Sequence, residues 1–124
     1  MDYTIGENRL NKFIWDYLDK NYYPDYMWGD DDDKEFYKKE VDKFGFITFP
    51  INDGIAYEYF NDDEFYPEAK VLKVYAEIED NLDRFFGDFW VPVFVKWFEH
   101  NTGLEVETLK GRTGTLYDKR NKSN

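Results

Sequence analysis

Aromatic residues make up 22% of this 124-residue chain (12 Phe, 11 Tyr and 4 Trp), and that share governs how it can fold. Each ring buries a large area, and edge-to-face pairs contribute beyond area alone. The predicted core is therefore one of large rings rather than small aliphatics. Disorder is a poor fit, because acidic disordered chains are depleted in aromatics. The length suits one domain.

Charge is the second constraint. The formal net charge is −11, unevenly distributed. Residues 110–124 hold five basic side chains against Asp118, a net of +4, which leaves −15 on residues 1–109. A body this acidic repels nucleic acid and anionic lipid and steers toward basic partners. The chain has no cysteine, so disulfides and thiolate metal sites are excluded. No apolar run approaches the ~20 residues of a membrane span, and Met1-Asp2-Tyr3-Thr4 lacks the basic start of a signal peptide. The expectation is a cytoplasmic protein.

Hydrophobic spacing gives the elements. Leu10, Phe13, Ile14, Tyr17 and Leu18 recur at helical intervals and predict an amphipathic helix over about 6–20. Pro24 prevents its continuation. Residues 21–33 read as a loop ending in Asp30, Asp31, Asp32 and Asp33; a short helix or an irregular segment follows, holding Phe36, Tyr37, Val41 and Phe44. Two β-rich runs, 44–49 and 55–60, flank Asn52-Asp53-Gly54, a good hairpin turn. Asn61-Asp62-Asp63-Glu64 forms a second acidic loop, and alternation over Val71–Ile78 predicts a third strand. Asp80 or Asn81 then caps a short helix stopped at Gly87. Pro92 opens another helix, closed by Asn101-Thr102-Gly103. A last strand is expected over Leu104–Leu109, with 110–124 as a basic, disordered tail. The fold class is α+β: one domain over 1–109, with an N-terminal helix, a three-stranded antiparallel meander, a C-terminal helical region and a last strand. Helices are expected on one face of the sheet.

Chemistry-bearing constellations are few. His100, the one histidine, closes a predicted helix, where a cation interacts favourably with the dipole. The acidic loops do not match a calcium-binding EF-hand: counted from Asp31, position six is Phe36 and position twelve Asp42, and counted from Asp30 the glycine place holds Glu35. A solvated acidic loop is the reading, with no metal and no cofactor. The order of elements is similar to that of the PD-(D/E)xK nucleases. That resemblance implies an acid at Asp53 converging on Glu68-Ala69-Lys70 or Glu77-Ile78-Glu79 around a metal ion, although so acidic a body is ill suited to approaching phosphates. No glycine-rich phosphate cradle is present. Tyr22, Tyr23, Tyr26, Trp28 and Trp90 are aromatics of the kind that anchor protein interfaces.

The run Leu82, Phe85-Phe86-Gly87, Val95, Trp97-Phe98-Glu99, Leu109, Gly111 and Thr113, with the opening Arg9-Leu10 through Tyr17-Leu18, resembles short uncharacterised proteins of tailed bacteriophages. The resemblance implies a phage origin, where small acidic inhibitors of host proteins are common and some imitate the charge of DNA. The expectation is a non-enzymatic domain that binds a basic surface of another protein. Asp30 to Asp33, Glu35, Asp62, Asp63 and Glu64 would supply the charge, and Tyr26 and Trp28 the anchors. The alternatives are a virion component or a degenerate nuclease-like fold.

Overall fold

The structure is a computed structural model that describes residues 8–22, 33–51, 54–63, 66–112 and 114–119. It is α+β, with helices on a five-stranded mixed sheet.

Helix α1 spans Asn8–Asn21 and α2 spans Asp33–Phe44, where Tyr37 and Val41, four residues apart, are both buried. Strands β1 (Phe46–Ile51), β2 (Gly54–Asp63) and β3 (Tyr66–Val74) form the expected antiparallel meander. Pro50 lies within β1, at an irregularity in the pairing. It is tolerated because β1 is an edge strand, where a missing N–H need cost no ladder bond.

The third strand ends at Val74, four residues earlier than the alternation predicted, and α3 (Ala76–Phe86) takes over. Ile78 and Leu82 fit a helical face as well as Ile78 fits a strand, and both are buried. Glu77 and Glu79 in the first turn favour a helix start, so the helix wins. It ends at Gly87, a 3₁₀ turn covers Gly87–Phe89, and α4 runs Trp90–Thr102. Gly103 closes α4 in the left-handed conformation (φ 76°), its N–H bonded to the Glu99 carbonyl at 2.9 Å.

The chain then re-enters the sheet twice, not once. β4 (Thr108–Gly111) lies parallel to β3, pairing Leu72 with Leu109. β5 (Gly114–Asp118), built from residues expected in the tail, pairs antiparallel with β4. Gly111 faces Gly114 in that pairing, and the alternation that would have announced β5 is only five residues long. Residues 120–124 lie outside the described residues.

The core is aromatic as composition demanded. Phe49 and Tyr57 stack at 4.9 Å between ring centroids, and Phe98 of α4 meets Phe49 edge-on at 5.5 Å. Phe94 and Trp97 of α4 pack on Tyr57, and Tyr37 of α2 packs on Phe49 at 5.6 Å. These contacts place α2 and α4 against the sheet face carrying Phe49 and Tyr57. Helix α1 is tied to α4 by Trp97, whose indole N–H donates to Asp19 Oδ1 at 2.9 Å. The Tyr57 hydroxyl adds a bond to the Tyr22 carbonyl at 2.7 Å.

Candidate functional site

Of the ten charged and aromatic residues expected to bind a partner, four lie within the described residues. Tyr26, Trp28, Asp30, Asp31, Asp32 and Glu64 lie outside the described residues. Asp33 opens α2, Glu35 is exposed two residues on, and Asp62 and Asp63, expected in a loop, instead end the strand β2. Two contacts relate these groups. A Cβ built on Gly103 would meet the Lys34 side chain at 3.4 Å, so the first turn of α2 sits beside the end of α4. The Asn61 N–H donates to the Gly45 carbonyl at 2.9 Å, so the end of β2 sits beside the other end of α2. Twelve residues separate the ends of α2, roughly 18 Å of helix. Glu35 and the β2 end at Asp62–Asp63 therefore lie toward opposite ends of α2, and Lys38, Lys39 and Lys43 intervene along it.

Of the residues implied by the nuclease resemblance, Asp53 lies outside the described residues. Its chain neighbour Gly54 pairs with Ile51 at one end of β2, whereas Lys70 pairs with Asn61 at the other. Seven residues of strand, about 24 Å, separate Gly54 from Asn61. Glu77, Ile78 and Glu79 lie on α3, not on a strand. The Glu79 carboxylate, 5% exposed, accepts the Arg112 N–H at 2.7 Å. It thereby ties α3 to the segment joining β4 and β5. Among the described residues, no group of three or more His, Cys, Asp or Glu is arranged to hold a metal ion. His100 lies in the last turn of α4, as expected, its ring edge-on to Trp15 at 5.6 Å.

What brings aromatic surface together is a different set of residues. Tyr17 of α1 meets Phe85 and Phe86 of α3 edge-on at 5.7 and 5.5 Å. Phe13 lies one helical turn before Tyr17, on the same side of α1. Phe89 follows in the 3₁₀ turn. Phe13, Phe85 and Phe89 are 63%, 58% and 66% exposed. Trp90, in contrast, is fully buried, its indole N–H donating to Asp83 Oδ1 at 2.7 Å.

The five-residue apolar stripe of α1 carries no separate signal for this patch, since that spacing is what one packed face uses. Ile14 and Leu18 go into the core, while Leu10 and Phe13 are left in water.

The basic C-terminal segment is held to the body as far as it is described. Arg112 grips Asp80 with contacts of 3.0 and 3.4 Å, and Lys119 lies 3.5 Å from Glu99. Two phenols are strongly perturbed. Burial, opposed by an Asn81 hydrogen bond, pushes Tyr22 up to about 12. Burial, with the charges of Glu105, Glu107 and Glu99 adding to it, raises Tyr59 further. Neither is placed for chemistry at neutral pH; both report on packing.

Comparison with protein-family models, with curated proteins and with solved structures finds no match. No helix among the described residues is long and apolar enough to cross a membrane.

Proposed function

We propose that this chain is a non-enzymatic binding protein that docks a basic surface of another protein, using the aromatic patch of α1, α3 and the turn Gly87–Phe89 as its contact. The single observation behind the reading is that patch: three phenylalanines on adjoining elements, each more than half exposed, beside Tyr17. Phenylalanine has no polar tip to satisfy in water, so its exposure is best accounted for by a surface that is covered in the working state.

Magnitudes divide the labour. Covering the exposed parts of Phe13, Phe85 and Phe89 contributes roughly 3–5 kcal/mol. A micromolar complex needs about 8 kcal/mol, so further contacts are required. The net charge of −11 steers a basic partner and speeds encounter. The acids expected to contribute contacts are Glu35, Asp62, Asp63 and the aspartates of 30–33.

Imitation of nucleic acid draws less support than plain partner binding, since three lysines of α2 interrupt the acid between its ends. A phage-encoded inhibitor acting in the host cytoplasm is the setting that the resemblance of the C-terminal half favours. The same patch would also suit a virion component, which predicts patch-dependent oligomers of the chain alone.

The test is capture of partners from host lysate by the wild type and by a Phe13→Ser/Phe85→Ser/Phe89→Ser variant, with sizing of both proteins alone. Expected are monomers, and a partner held by the wild type, lost from the variant and released as salt rises. A partner held equally by both, or unaffected by salt, contradicts the reading.

A further inference from the structure

Away from the aromatic patch, α2 and the sheet border a half-open cleft of about 170 Å³, lined by Lys38, Val41 and Asp42 from α2 and by Tyr59, Asn61 and Lys70 from the sheet. Gly103, Leu104 and Glu105 complete its lining. This volume lies below the ~300 Å³ at which drug-sized pockets begin, so its occupant is a small solute.

Part of the wall is held by a hydrogen bond. The Tyr59 hydroxyl donates to the Glu105 carbonyl at 2.6 Å, which pins the segment between α4 and β4 over the buried Tyr59 ring. Val41 and Leu104 are also buried and give the cleft an apolar floor.

Two of the four charged groups lining it, Lys38 and Asp42, are unspent. Lys12 and Asp16, four apart on α1, pair at 3.1 Å. Lys38 and Asp42 have the same order and spacing on α2, yet they form no such pair. Both groups, and the Asn61 side-chain amide, have no hydrogen-bond or ion-pair partner among the described residues. Across the cleft, Lys70 and Glu105 are only loosely joined, at 3.9 Å.

Two cations and two carboxylates around one small space set the ligand class. A simple anion meets Asp42 and Glu105 as well as the lysines, and a simple cation meets the lysines as well as the carboxylates. A zwitterion satisfies both signs at once, and a short aliphatic group fits the floor.

We propose that this cleft binds a small zwitterion of the free α-amino acid type. Its carboxylate is taken by Lys38, Lys70 and the Asn61 amide, and its ammonium by Asp42 and Glu105. The site is independent of the aromatic patch.

The test is amide chemical-shift titration of the full chain at neutral pH with L-valine, isobutyrate and isobutylamine, which separate the zwitterion from its two half-charges. Expected is a saturable shift in the millimolar range for valine at Asn61, Gly103 and Glu105, with much weaker responses to the other two. Lys38→Met and Asp42→Asn each change an exposed side chain and should weaken valine binding about tenfold, the equivalent of one charge-assisted hydrogen bond. The triple phenylalanine variant should bind valine as the wild type does. Equal binding of isobutyrate or isobutylamine, unchanged affinity in both α2 variants, or no saturable shift at these positions each overturns the proposal.

Discussion

Glu79 shows how a single side chain outside any catalytic role can decide the topology of this chain's end. Its carboxylate sits where a Cβ on Gly111 would fall 2.6 Å from Oε1, and it takes the Arg112 N–H. Gly111→Ala must displace the carboxylate and break that bond, and the expected cost is about 1–3 kcal/mol. Glu79→Ala should cost a similar amount by leaving the N–H without its acceptor. In the Glu79→Ala background the clash is gone, so Gly111→Ala should then cost little. Urea unfolding of the four proteins measures this coupling; strict additivity would show that the two residues act separately. None of this was legible beforehand, because a glutamate buried against a glycine 32 residues away leaves no local pattern. The buried phenols give a second residue-scale prediction. Tyr22 titrates near 12 when folded and near 10 when unfolded, and Tyr59 is also raised. The folded state thus favours the protonated phenols, so their contribution is intact below pH 10 and is lost as pH rises through 12. For Tyr22 the loss is on the order of 2 kcal/mol. Stability measured across that range should fall more gently in Tyr22→Phe than in the wild type, and an equal slope would place that phenol in water.

Among the elements, those announced by strong local signals were readable and those settled by competition were not. The broad stripe of α1, the Asn52-Asp53-Gly54 break between β1 and β2 and the Gly103 stop of α4 all follow from spacing or backbone chemistry, and the structure has each element they predict. The start of α3 differs from the strand expected there because Ala76 and Ile78 continue the alternation of β3, and the first-turn acids Glu77 and Glu79, together with helix packing, decide between the periods. β5 was missed because its edge position and short length ask little of its sequence. Beside the burial of Ile14 and Leu18, the Trp97–Asp19 bond joins α1 to the rest, since Trp97 is fully buried and its N–H needs an acceptor. Asp19→Ala is expected to lose about 1–3 kcal/mol, whereas Asp19→Asn keeps a carbonyl acceptor and should remain close to the wild type. Thermal unfolding of the two variants distinguishes them; equal losses would point to the charge rather than the hydrogen bond.

At the scale of the whole molecule, the charge asymmetry of the sequence is partly resolved by the fold. Arg112 and Lys119 return part of the basic end to Asp80 and Glu99, while Glu35 and Asp62–Asp63 lie toward opposite ends of a helix whose own charges balance. The aromatic patch lies elsewhere, on α1 and α3, and it was hidden in the sequence because an apolar helical stripe reads as core until packing shows how much of it the core can accept. Acidity that attracts a basic partner and a ring surface that holds it together make the proposed binding function. The most direct measurement is hydrogen exchange of the captured complex against the free chain. Slowed exchange is expected in the stretches around Phe13–Tyr17 and Phe85–Phe89. Protection confined to other surfaces, with those two stretches exchanging as in the free protein, would contradict it.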